Sequence, residues 1–474
     1  MLTIELGRSL LTPAEMRAAE VDAIAAGAPA LLLMERAAAA VVVAIGLYCP
    51  GCSTLVLCGP GNNGGDGYAV ACLLRDAGLP VRVAASGAAM GEPAATMAAR
   101  WGGPVEQLGD AAPAPLIVDA LFGTGLSRPL PDDVQEALDR LRPEARTVVA
   151  VDIPSGIDAS TGALLGRPLV ADLTVTFGAM KRGQALGAGR AHSGRVVVAD
   201  IGVVTPDSAA RLVPAPVAVP LPVDTHKYRR GAVLVIEGVA RRGGAARLTA
   251  LAALRAGAGL VTLVGSGDGA PADALMRRND AEGRALLADP RLGAIAIGPG
   301  LVDDQRSRDW LMAVLAGETP LVIDAGALAL RFGPVAPGSG AYSALAEARA
   351  PRILTPHDGE FTRLFGPPGA DRIGAAQAAA LASGSTIVLK GAETVIADPD
   401  GRVAINTHAA PWLATAGSGD VLTGIIAAMM AQGLAPYDAA RAGVWLHGDA
   451  GIRGGAGLIA DDLPALLAIV LAAL

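Results

Sequence analysis

One pattern governs this chain: a short run of apolar, largely β-branched residues, a glycine-bearing turn, then a stretch of helical length. In the first half such runs fall at 53–58, 80–84, 115–119, 147–152, 173–177 and 195–200. The second half restarts the series at 232–236, 260–264, 294–297, 321–324, 353–355 and 385–389. The runs do not alternate polar with apolar, so each strand is expected to be buried on both faces. That is the mark of parallel strands covered by helices. The fold class is therefore α/β, three-layered in the first half and again a layered α/β arrangement in the second. Residues 394–397 and 402–406, joined by Asp398, Pro399, Asp400 and Gly401, form a hairpin that interrupts the second series. Between the halves, four prolines in residues 213–222 remove backbone donors and favour an extended connector. We place a first domain at 1–212, a linker at 213–224 and a second domain at 225–474. Two or three domains suit 474 residues.

Ligands of open α/β sheets bind outside the carboxyl ends of strands, so the chemistry is sought there. The first run leads into Gly59, Pro60, Gly61, Asn62, Asn63, Gly64, Gly65, Asp66 and Gly67, with a helix expected from about Tyr68. Strand, glycine loop and helix suit a phosphate, although the loop has neither a P-loop lysine nor a dinucleotide fingerprint. Two later runs end in acids, Asp119 and Asp152, and each enters a glycine-bearing loop. The loop after Asp119 carries Gly123, Thr124, Gly125, Leu126, Ser127, Arg128 and Pro129; the loop after Asp152 carries Ser155. A strand-end aspartate can also serve only as a helix cap.

The second half concentrates its signal at 414–433. Gly417, Ser418, Gly419 and Asp420 precede about three apolar helical turns that stop at Gly433. Ser418 reads as the N-cap and Gly433 as the helix end. Bare amides and the helix dipole make this start a phosphate site. A carboxylate there repels such a ligand unless it removes a proton from an attacking hydroxyl, the role read for Asp420. The plain alternative is a glycine turn with an acid that complements the dipole.

Composition excludes other classes. A net charge of −7 with no basic block argues against nucleic acid. The longest apolar runs fall short of the about 20 residues a membrane span needs, and Glu5, Arg8, Glu15 and Arg17 argue against a signal peptide. The four cysteines lie between Cys49 and Cys72 and are read as reduced thiols of a cytoplasmic protein.

Taken together, several motifs resemble the bifunctional NAD(P)H-hydrate repair enzymes. They include 33–37, Asn62–Asp66, 118–129, 152–158 and Lys181 in the first half. In the second they include His226 and Lys227, 253–261, 355–360, 389–391 with Thr394, and 414–433. The resemblance implies a Rossmann-like NAD(P)H-hydrate epimerase domain followed by a ribokinase-like, ADP-dependent dehydratase domain. It implies that Asn62–Asp66, Gly123–Pro129 and Asp152 bind the hydrated nicotinamide, with Asp152 as acid/base. K+ would be held by Asn63, Asp119 and Ser155, oxygen ligands that suit a hard cation. In the dehydratase, Ala245, Gly300, His357 and Asp420 would contact the hydrate. Lys390, Gly391, Ala392, Glu393 and Thr394, with Gly417, Ser418 and Gly419, would hold ADP, accompanied by Mg2+. Asp420 would be the base. Implied partners are NADHX, NADPHX and ADP, with no nucleic acid or membrane, in a cytoplasmic homo-oligomer. Three stretches depart from the family pattern: 409–412, Asp324 with Gly326, and 237–242. The rival readings are a small-molecule kinase of the same fold and, for the first half, a binding module without turnover.

Overall fold

The computed structural model describes residues 2–3, 9–217, 221–238, 243–267, 272–330, 345 and 347–474. Glu5, Arg8, residues 218–220 of the proline-rich stretch and residues 239–242 lie outside the described residues. The chain forms two compact units, Met1–Ala210 and Arg211–Leu474.

In the first unit, β1 (Leu2–Thr3) precedes α1 (Pro13–Ala25) and α2 (Ala30–Tyr48). Then follow β2 (Thr54–Cys58), α3 (Asn62–Asp76), β3 (Val81–Ala85), α4 (Glu92–Trp101) and β4 (Val105–Gln107). Next come β5 (Leu116–Ala120), α5 (Asp132–Leu141), β6 (Thr147–Val151), β7 (Leu173–Phe177), α6 (Gly187–His192) and β8 (Arg195–Ala199). The sheet order is β1-β8-β7-β6-β5-β2-β3-β4, parallel from β8 to β4 with β1 antiparallel at the edge. The chain winds outward from β2 in one direction and from β5 in the other, so β2 and β5 flank the switch point. Alternate strand residues feed separate cores. Val56, Val118, Val149 and Val175 pack with α2 and α3, whereas Leu55, Leu57, Ile117 and Val148 pack with α5.

Two expectations for this unit are corrected. Helix α2 runs for 19 residues and is long and apolar enough to cross a membrane. Its Leu33, Met34, Ala37, Ala38, Val41, Ala44 and Ile45 are instead buried in the unit's core. Cys49 and Cys52 are not free thiols but form a disulfide, because the Pro50–Gly51 turn brings their Cα atoms to 6.0 Å with Gly51 at φ +75°. Cys58 is buried and Cys72 half-buried.

The second unit's sheet is β12-β11-β10-β13-β14-β15-β16-β17-β18-β9. Its strands are β9 (Ala210–Leu212), β10 (Ala232–Ile236), β11 (Leu260–Val264), β12 (Met276–Arg278), β13 (Ala294–Ile297) and β14 (Leu321–Ile323). They continue as β15 (Arg352–Leu354), β16 (Thr386–Leu389), β17 (Thr394–Ala397) and β18 (Val403–Asn406). Strands β12 to β16 are parallel, and β17–β18 is the antiparallel hairpin read from the sequence. The helices are α7 (Gly243–Arg255), α8 (Asp280–Leu286), α9 (Gln305–Leu315), α10 (Ala325–Ala329), α11 (Asp358–Phe365) and α12 (Arg372–Ser383). The last three are α13 (Ser418–Ala431), α14 (Pro436–Gly454) and α15 (Leu463–Ala472). The α/β class read from the strand runs is therefore present in both units.

Helix α13 is the keystone of this unit. Val421, Leu422, Ile425, Ile426, Met429 and Met430 are buried, each contributing about 1.5–3 kcal/mol. A Cβ on Gly424 would overlap the Thr249 carbonyl of α7, so glycine is required where these helices cross. The helix ends as read. Gly433, at φ +95°, donates to the Met430 carbonyl and Leu434 to that of Met429, a Schellman closure.

Candidate functional site

Each unit gathers polar groups at the carboxyl ends of its strands. In the first unit, α3 begins at Asn62 rather than near Tyr68, so Asn62–Asp66 form its opening turns. The glycines that suggested a loop are there for close packing. A Cβ on Gly64 would overlap the Gly59 carbonyl, and one on Gly65 or Gly67 would press on Met34 or Ala120. The helix start still presents its first amides to the switch-point crevice.

Beside it, Asp119 at the end of β5 is fully buried. It accepts from the Ser155 amide at 2.8 Å, the Ser155 hydroxyl at 2.6 Å and the Leu121 amide at 3.3 Å. Burial raises its carboxyl pKa against these bonds, and no cation counters it among the described residues. Asn63 leaves Nδ2 buried without a partner, and its Oδ1 faces Gly123. A side-chain amide can present either end. A buried carboxylate in want of positive charge, an orphaned amide and the Ser155 hydroxyl therefore fit a hard monovalent cation. Of the loop after β5, Leu126 is buried, whereas Ser127, Arg128 and Pro129 are exposed.

Asp152 follows β6 in a left-handed conformation, φ +67°. Such a backbone costs about 1–3 kcal/mol for a residue other than glycine. It is held by the Gln184 side chain on its carbonyl at 2.7 Å and its own amide on Val175 at 2.8 Å. Its carboxylate accepts from Lys181 Nζ at 2.6 Å and Thr176 Oγ1 at 3.0 Å. Lys181 is 1% exposed and also donates to Thr176 and the Phe177 carbonyl. Asp66 faces the same place. Burial, then Asp152, then Glu20 push its carboxyl well above the usual range. Glu20 of α1 is likewise raised, by burial against the opposing pull of Lys181. The sequence singled out Lys181 without a role and gave no signal for Glu20, one of three acids on α1.

In the second unit, Asp420 lies in the first turn of α13. Burial first, then Asp324, push its carboxyl up to about 6, Lys390 opposing and Glu360 adding. Asp324 at the end of β14 is buried, accepting from Lys390 Nζ at 2.9 Å and Thr423 Oγ1 at 2.7 Å. Thr423 lies one turn beyond Asp420 and also donates to the Gly419 carbonyl. Thr249 Oγ1 donates to the Asp420 carbonyl at 2.9 Å and to the Ala245 carbonyl, drawing Ala245 toward the same turn. Ala325, beside Asp324, has φ +45°. With Asp152 it completes the pair of non-glycine residues at positive φ among those described, and each sits at one of the two sites.

The N-cap of α13 is Gly417, at φ +90°, not Ser418. The Ser418 hydroxyl turns away to His447 Nε2 at 3.0 Å. His447, on α14, is buried, and its desolvation holds the imidazole down to about 4. Next to Asp420's charge cluster, a cleft of about 510 Å3 is lined by Gly300, Leu301, Ala325, Gly326, Glu360 and Arg363, among others. His357 caps α11 through Nδ1 and receives Glu360 on its own amide at 2.9 Å. In the turn after β16, Gly391 and Ala392 are exposed and Glu393 is buried toward Arg372. Thr394 begins β17.

Comparison with known proteins follows the same division. Residues 233–467 match the family described as NAD(P)H-hydrate dehydratase, and residues 30–183 the family described as YjeF-related protein N-terminus. The bifunctional NAD(P)H-hydrate repair enzyme Nnr of Moorella thermoacetica is 37% identical over 98% of this chain and 96% of its own. That of Mycobacterium tuberculosis is 38% identical over 90% and 89%; that of Escherichia coli is 35% identical over 86% and 83%. An ADP/ATP-dependent NAD(P)H-hydrate dehydratase from Bacillus subtilis, co-crystallised with ATP and Mg2+, is similar over 54% of this chain and 93% of its own. Its identity is 31% and its TM-score 0.45.

Proposed function

The chain belongs to the bifunctional NAD(P)H-hydrate repair enzymes, and from that premise we propose how its two sites divide the work. The first unit epimerises the R and S hydrates of NADH and NADPH. The second dehydrates the S form with ADP, giving NAD(P)H, AMP and phosphate. The boundaries 1–212 and 225–474, joined by 213–224, frame the two activities. We place the protein in the cytoplasm as a homo-oligomer, beside its soluble substrates NADHX and NADPHX.

The observation that carries the dehydratase reading is Asp420: a carboxylate whose pKa lies near 6, in the opening turn of a glycine-started helix. Such a group is ionised at neutral pH yet basic enough to accept a proton. Asp420 takes the proton of the hydrate's C6 hydroxyl. That oxygen attacks the β-phosphorus of ADP, and the bond to the bridging oxygen breaks, releasing AMP. Phosphate then leaves C6 as the ring nitrogen donates its electron pair, and loss of a C5 proton restores the dihydropyridine. The amides of Gly417–Gly419 and Lys390 stabilise charge on the phosphates. Gly391, Ala392, Glu393 and Thr394 frame the nucleotide, and Ala245, Gly300 and His357 the hydrate. Mg2+ bound with ADP would be carried mainly by the nucleotide's phosphates and would neutralise their charge.

In the epimerase unit, Asn62–Asp66, Gly123–Pro129 and Asp152 receive the hydrate. Asp152, oriented by Lys181 and Thr176, moves the proton that inversion at C6 requires. Asn63, Asp119 and Ser155 would hold K+, which would lend positive charge toward the ligand's phosphates.

The test follows the reduced-nicotinamide absorbance after adding ADP to a mixture of NADPH-hydrate epimers. Wild type converts both, Asp152→Ala only one and Asp420→Ala neither. A wild type that binds nucleotide but regenerates nothing rejects the reading.

A further inference from the structure

Ser418 departs from what its residue type prefers. A serine beside a helix start ordinarily accepts a hydrogen bond from an amide two or three residues on. Here Gly417 occupies the cap and no side chain caps the helix. The Ser418 hydroxyl is instead bonded to His447 Nε2 at 3.0 Å, and both side chains are buried. The histidine is brought there by two close approaches of α14. A Cβ on Gly443 would press on Ile426 of α13, and a Cβ on Gly448 would overlap the His408 carbonyl. Desolvation, with a smaller contribution from Lys390, outweighs the opposing hydrogen bond with Ser418 and keeps the ring neutral, so it adds no charge to the phosphate site.

Release of this bond gives Ser418 an alternative. The helix can begin one residue later with Ser418 as its N-cap, the oxygen accepting from Asp420, whereas the Val421 amide already donates to the Gly417 carbonyl at 3.1 Å. An amide so used is lost to a phosphate, because one N–H serves one strong acceptor. We propose that His447 is a positioning residue for ADP: it holds the Ser418 hydroxyl off the first-turn amides of α13 and leaves them to the β-phosphate. The proposal rests on the reading of Gly417–Gly419 as the phosphate cradle. It adds the residue that keeps the cradle open.

The test measures ADP affinity by titration calorimetry, and KM for ADP against kcat in the dehydratase assay. His447→Leu raises Kd and KM for ADP about tenfold, the order expected for one competing hydrogen bond, with kcat changed less than about threefold. His447→Gln, whose amide can still reach Ser418, stays within about threefold of wild type. Ser418→Ala, which has no hydroxyl to restrain, relieves the defect when combined with His447→Leu. Loss of packing alone would not be relieved in this way. If His447→Leu does not give a cooperative melt, the shorter His447→Asn serves, tested with Ser418 and with Ser418→Ala. The proposal is overturned if His447→Leu, or His447→Asn in its place, binds ADP as wild type does, or if Ser418→Ala fails to restore binding. Gly419→Val separates the two levels. If it leaves ADP binding intact, the cradle reading itself is wrong; if it abolishes binding while His447→Leu does not weaken it, only the role of His447 falls.

Discussion

Replacing Asp420 by asparagine should stabilise the second unit while ending dehydration. In the folded chain its carboxyl is pushed up to about 6 from an unfolded value of 3.8, chiefly by burial. At about 1.36 kcal/mol per pH unit, that rise corresponds to about 3 kcal/mol. The group is partly open to solvent, so about 1–2 kcal/mol is the better figure. The sign follows from proton uptake. Between pH 3.8 and about 6 the folded state binds more protons than the unfolded one. Stability from the neutral acid is thus complete below the unfolded value and lost as pH rises through about 6. At pH 7.5 the wild type carries an ionised, poorly solvated carboxylate and Asp420→Asn does not. Scanning calorimetry should show the dehydratase transition, recognised by its upward shift with ADP, about 2–8 °C higher in the variant at pH 7.5. The gap should close as pH falls toward 4. A variant melting at or below wild type, or a gap indifferent to pH, refutes the reasoning. The same titration predicts that wild-type kcat/KM rises with pH through about 6.

Three further outcomes are expected. Lys181→Met strands the buried Asp152 charge and should destabilise the first unit by about 3–5 kcal/mol, most of it recovered by adding Asp152→Asn. Denaturant melts of both variants check this, and an unrecovered double variant refutes it. Gly64→Ala drives a methyl group into the Gly59 carbonyl; chemical denaturation should show a loss of at least about 1–3 kcal/mol. Epimerisation should fall with it while dehydration of the S hydrate persists. Exchanging K+ for choline should slow epimerisation and lower the thermal stability of the first unit, because Asp119 would lose the counter-charge proposed for it. An unchanged epimerisation rate and melting point would remove K+ from that site.

Much of this protein is legible in its residues. Unbroken apolar runs admit no partner but a sheet covered on both faces, so the parallel strands, the hairpin at 394–406 and the acids at strand ends follow directly. Gly433 marks the end of α13 because a left-handed residue is needed there. Other features depend on partners distant in sequence. The glycines of 59–67 read as a loop, yet α3 starts at Asn62, because a lack of side chains can mean close packing as well as a turn. Ser418 looks like a cap until His447, on the following helix, claims its hydroxyl. The apolar length of α2 is compatible with a membrane until the sheet of the first unit buries one face. Cys49 and Cys52 read as thiols until their turn closes. Lys181 meets Asp152, and Lys390 and Thr423 meet Asp324, across intervals no local pattern records. Local chemistry determined which groups end strands and open helices. Strand order and helix packing, which bring those ends together, decided which charges compensate one another and that the Asp420 carboxyl is left raised to about 6.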